Sequence, residues 1–135
     1  MDMAKYRQVF LEEATEHLAE MSRALLELEK DSSRSEALDA LFRMAHSIKG
    51  MAASLDYASI TEVAHHFEDR MQEIRNAGGI EQPDGLAVLF RGLDGLEAMV
   101  SAVRESGEPP PPAPELVAEL AAPLHPRWGG EKKKP

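Results

Sequence analysis

The chain has 135 residues, 43% of them hydrophobic and 29% charged, and no cysteine. That is the size of one ordinary domain; it excludes disulfides and thiolate chemistry, and no apolar run approaches the ~20 residues of a membrane-spanning helix. The formal charge of −9 lies wholly within residues 1–106, because four acids and four bases cancel after Ser106; so acidic a body argues against nucleic acid and anionic lipid and suits a partner with a basic face.

Residues 1–106 read as four amphipathic helices. The first runs from about Ala4 to Lys30, with Phe10, Ala14, Leu18, Met21, Leu25 and Leu28 forming one apolar stripe. Asp31-Ser32-Ser33 breaks it, and Ser33 with Glu36 is expected to form a capping box that opens the second helix. The second stripe is Leu38, Leu41, Phe42, Ala45, Ile48 and Ala52. The third helix opens near Asp56 or Ser59, with Ser59 and Glu62 as another capping-box pair. It carries Ile60, Val63, Ala64, Phe67, Met71 and Ile74 and stops at Asn76-Ala77-Gly78-Gly79. The fourth begins near Pro83 and carries Leu86, Leu89, Phe90, Leu93, Leu96, Val100 and Val103. Gly92 and Gly95 weaken it by up to ~1 kcal/mol each relative to Ala, which points to another helix backbone packed close by. Short connections between such helices predict an all-α, antiparallel four-helix bundle.

Eight of the nine prolines follow residue 106. Pro109 to Pro114 predict an extended segment. Glu115 to Ala122 have the pattern of a short fifth helix opened by Pro114, ended by Pro123 and Pro126. The residues from Trp128 to Pro135 read as a flexible tail or linker. The chain is therefore divided into a bundle, 1–106, and a Pro-rich segment with a short helix and tail, 107–135. The pattern leaves open whether residues 113–122 dock on the bundle.

The second helix contains His46-Ser47-Ile48-Lys49-Gly50. At 100° per residue His46 lies about 80° from Leu38, at the border of the apolar stripe. Lys49 and Gly50 stand one turn on and flank the ring. Glycine is a poor choice inside a helix unless something must approach there. On the third helix Glu68 lies about 80° from Ile60, and His65 is one turn earlier on the same edge. Antiparallel neighbours bring these edges together, so Glu68 can accept a proton-bearing nitrogen of His46 and leave the other as an exposed lone pair, as a nucleophilic imidazole requires. From spacing alone, border and surface residues that have no role are the safer reading.

The run from Phe42-Arg43-Met44-Ala45 through His46-Ser47-Ile48-Lys49-Gly50 to Met51-Ala52-Ala53-Ser54-Leu55 resembles the phosphorylation motif of histidine phosphotransfer (HPt) domains, above all those that begin chemotaxis histidine kinases. Phe10-Leu11-Glu12-Glu13-Ala14 and the His65…Glu68 pair resemble the family too, and the likeness covers about residues 5–105. It implies that His46 is the phosphorylated histidine and that Lys49 supports the ring and phosphoryl group. It further implies that Glu68 bonds the imidazole and that His65 is the second histidine of that network. The family often has glycines where Met51 and Ala53 stand and a Phe-Gly pair at Leu55-Asp56, so the turn here is bulkier.

The resemblance implies a cytoplasmic phosphoryl carrier in a two-component relay. Its partners would be a histidine kinase catalytic domain, which holds ATP and Mg²⁺, and the receiver domains of response regulators. The chain has no phosphate-binding loop and should bind no cofactor itself. The sequence is open to two other classes of function. One is a metal site from His46, His65 and Glu68, although a single His-x-x-Glu is not the ligand pattern of diiron bundles. The other is a helical adaptor that binds partners through the proline segment.

Overall fold

A computed structural model describes residues 2–81 and 84–122. It has the helices α1 (Met3–Lys30), α2 (Ser35–Ser54), α3 (Ala58–Ala77), α4 (Gly85–Ser106) and α5 (Pro114–Ala121), and no strand among the described residues. The α4 start expected at Pro83, the stops at Pro123 and Pro126 and the tail from Trp128 lie outside the described residues. No described helix is long and apolar enough to cross a membrane.

The four long helices form the expected antiparallel bundle. α1 packs on α2 and α4, α2 on α3, and α3 on α4, which closes a ring. Every residue of the α1 stripe is buried, and Leu41, Ala45, Ile48, Ile60, Val63, Phe67, Leu89 and Leu96 share the same core with no exposed surface. Burying a Leu or Phe side chain contributes about 1.5–3 kcal/mol relative to leaving it in water, so this core turns the apolar stripe of each helix inward. Leu86 and Phe90 of the expected α4 stripe are only partly covered.

Both capping boxes fail to form. Asp31 takes the backbone N–H and the hydroxyl of Ser33, at 3.1 and 2.9 Å, so Ser33 is consumed in a local Asx turn. α2 begins at Ser35, and Arg34 precedes it without a side-chain cap. α3 begins at Ala58, which puts Ser59 inside the first turn; its hydroxyl donates to the carbonyl of Pro110 at 2.7 Å. The α2–α3 connection turns at Asp56, whose φ of 62° is left-handed, a conformation Asp tolerates better than most residues. Gly78 supplies the left-handed C-cap that stops α3.

α5 lies along α3 and α4. The atoms packed against Gly92 and Gly95 are side-chain carbons of Phe67, Leu116 and Leu120, so the expected close helix backbone is replaced by the leucines of α5 and the ring of Phe67.

Candidate functional site

α2 and α3 present their facing edges as the wheel argument requires. His46 Nδ1 lies 2.5 Å from Glu68 Oε2, and Lys49 Nζ lies 2.5 Å from Glu68 Oε1. Each carboxylate oxygen thus has one partner from α2. Burial pushes the Glu68 carboxyl up, but the hydrogen bonds from Lys49 and His46 outweigh it and hold the group below its ordinary value. The carboxylate is the ionised acceptor, so Nδ1–H donates to it. The free nitrogen of the neutral ring, Nε2, keeps its lone pair on a side chain that is 64% exposed.

Gly50 stands one turn beyond His46. A Cβ built on it meets no atom within 4 Å beyond the helix's own backbone, so nothing inside the bundle requires a glycine there. The space is on the outside, beside the ring.

His65 is not brought into this constellation. Its Nε2 lies 3.2 Å from Asp69 Oδ2, one turn along the same helix and half exposed. Both oxygens of Glu68 are already engaged by α2, and His65 instead lines a shallow recess with Lys49, Ala53, Thr61 and Glu62. No three His, Asp or Glu side chains are grouped as metal ligands among the described residues; His46 and Glu68 are bonded to each other, and His65 to Asp69.

Two contacts were missed from the sequence. Ser47, inside the motif, bonds His17 Nε2 of α1 at 3.0 Å. His17 sits about 20° from Phe10 on the α1 wheel, a signal that was there to read. Arg70 of α3 is buried and donates to the carbonyls of Glu119, Leu120 and Ala122, partners with no sequence signature.

Comparison with known proteins identifies the family. The sequence model of the Hpt domain family matches residues 5–106. The chemotaxis protein CheA of Bacillus subtilis is 37% identical over 120 residues, covering 89% of this chain and 18% of that protein. CheA of Halobacterium salinarum is 34% identical over 106 residues, covering 78% and 16%. The chain therefore spans less than a fifth of the curated relatives it matches. Among solved structures, the CheA phosphotransferase domain from Thermotoga maritima is 32% identical, with a TM-score of 0.69 over 77% of this chain and 98% of that one. The phosphorylated P1 domain of CheA3, in complex with CheY6 from R. sphaeroides, shares the fold at 23% identity, with a TM-score of 0.77 over 86% and 92% of the two chains. A histidine and a glutamate joined across two bundle helices, within a sequence that the family model covers from Lys5 to Ser106, place this chain in the Hpt domain family.

Proposed function

We propose that this chain is a phosphoryl carrier of a chemotaxis-type two-component relay, with His46 as the carrier residue. The observation that carries the reading is the pairing of Nδ1 with Glu68, which leaves Nε2 open to solvent. The Nε2 lone pair attacks the γ-phosphorus of ATP held with Mg²⁺ on a separate kinase catalytic domain. The Nε2–P bond forms, the P–O bond to the β-phosphate breaks, and ADP leaves. Positive charge builds on the ring, and the Glu68 carboxylate stabilises it through Nδ1–H. Lys49, held by Glu68, keeps an ammonium near the incoming oxyanion and moderates repulsion from an acidic body.

In the second step a receiver-domain aspartate attacks phosphorus and the Nε2–P bond breaks. Most catalysis in both steps belongs to the partner's metal and acids, since phosphoryl transfer is largely positioning and charge stabilisation. Gly50 gives those partners access beside the ring, and His65 flanks the Lys49 side of the site. A relay that draws on ATP and receiver domains would run in the cytoplasm. The phosphoryl-accepting unit is residues 1–106, and α5, from the Pro-rich segment beyond it, packs on α3 and α4.

The test is incubation with a chemotaxis kinase catalytic domain and γ-labelled ATP, followed by addition of a receiver domain. The expected result is acid-labile, base-stable label on His46 that moves to the receiver. His46→Gln should abolish labelling and keep native helical circular dichroism. Label retained by that variant at an acid-labile position would overturn the assignment.

A further inference from the structure

Arg70 is 5% exposed, and no carboxylate pairs with it among the described residues. Its guanidinium is satisfied by the end of α5: Nε donates to Leu120 O at 3.1 Å, and Nη2 to Glu119 O at 3.2 Å and to Ala122 O. These are the carbonyls that a helix leaves without partners, at the negative end of its dipole. α5 is eight residues long, too short to persist alone, so its place depends on what holds it.

Four further contacts hold α5 and the segment before it. Leu120, 2% exposed, packs over Gly92 beside the Phe67 ring, which a Cβ at residue 92 would meet at 2.8 Å. Leu116 fills the space that a Cβ at Gly95 would need. Ser59 holds the preceding proline segment through Pro110 O. The Arg91–Glu119 ion pair adds an exposed contact at 3.0 Å.

All three α3 residues in this clamp, Ser59, Phe67 and Arg70, belong to the helix that carries Glu68. Arg70 and Glu68 are two residues apart, so they project about 160° from one another around α3. One edge of the helix is tied to α5, and the other bonds His46 and Lys49. Rotating α3 enough to release Arg70 swings Glu68 away from α2. We infer that Arg70 is a positioning residue: by anchoring the C-terminal helix it fixes the rotation of α3 and so the Glu68–His46 hydrogen bond. Whatever displaces α5 then weakens the phosphoryl-accepting imidazole without touching it. This inference deepens the reading above and rests on it for its kinetic part only.

Two variants test it in the full chain. Arg70→Met removes the donors and keeps the aliphatic stem. Gly95→Leu puts a side chain where Leu116 sits and leaves α3 unaltered, and leucine suits a helix interior better than glycine. Nitrogen-15 spectra of the His46 ring report the tautomer without any phosphorylation. In both variants the share of the Nδ1–H form is expected to fall. Labelling should slow about 3- to 10-fold, the scale of coupling through packed elements.

In a Glu68→Gln background the same substitutions should slow labelling less than twofold, because the bond they position is already impaired; a general loss of stability would act equally in both backgrounds. Should Arg70→Met not fold, Gly95→Leu decides. An unchanged tautomer with wild-type labelling, or equal slowing with and without Glu68, overturns the inference. A wild-type chain that takes no label overturns the carrier reading instead, and the ring spectra still decide the role of Arg70.

Discussion

His46 presents 64% of its side chain to solvent, while Glu68, 2.5 Å away, presents 10%. The fixed member of the pair is the carboxylate, seated at the edge of the core, and the open member is the ring. A bond anchored at its buried end orients the exposed end without covering it.

Glu68→Gln keeps an acceptor for Nδ1–H and removes the charge. A hydrogen bond to a charged group contributes about 1.5–3 kcal/mol, and tenfold in rate corresponds to about 1.36 kcal/mol. Only the part felt in the transition state reaches the rate, so labelling of His46 should slow about 10- to 100-fold. Initial rates with a fixed amount of kinase domain measure this, and a wild-type rate would remove Glu68 from the site.

The same carboxylate sets an acid dependence. Its pKa in the folded chain lies below the ordinary 4.5, so the unfolded chain binds its proton more readily. The stabilisation is therefore fully present above about pH 4.5 and is lost as pH falls through the lower folded value. Below about pH 4.5 the stability gap between wild type and Glu68→Gln should close on further acidification. Urea melts at a series of pH values will show it; a gap that widens in acid would contradict the assigned direction.

Gly50→Ala separates stability from function. Beyond the helix's own backbone, no atom stands within 4 Å of the new methyl group, and alanine is worth about 0.5–1 kcal/mol over glycine in a helix interior. The melting temperature should rise by about 2–8 °C. Transfer to a partner should slow if the open space serves approach to the ring. A variant that is more stable and fully active would show that the glycine has no part in docking.

Deletion of residues 107–135 should leave a folded bundle that still accepts phosphate, but about 3- to 10-fold more slowly because α5 is gone. The loss of the buried Leu120 and the partly buried Leu116 and Val117 is offset in part by the freedom α5 regains. A net change of about 1–2 kcal/mol lowers the melting temperature by about 5–15 °C. Thermal melts and labelling of both forms measure the two effects separately. A folded bundle that takes no label would make the division after Ser106 functionally wrong.

What was legible in the sequence follows from the range of the interactions. The four stripes were readable because burial repeats with the helix, and Glu68, His46 and Lys49 because two wheel edges must face once the stripes are joined. The serine caps were misread because each hydroxyl had a rival: Asp31 two residues before Ser33, and a proline carbonyl 51 residues beyond Ser59. His65 was drawn toward the site by its spacing, yet its neighbour Asp69 offers a free carboxylate on the same helix face. Arg70 was illegible in principle, since backbone carbonyls 49 to 52 residues away leave no mark in side-chain pattern.

The open ring nitrogen has a consequence for traffic through the proposed relay. Nε2 is at once the loading and the unloading point, and it stands on the shaft of a helix with no second face to offer. Donor and recipient must therefore occupy the same ground in turn, and neither can wait in place while the other works. Turnover is then limited by how quickly each visitor leaves, which favours weak, short-lived docking over tight binding. A surplus of empty receiver domains would slow loading simply by standing in the way.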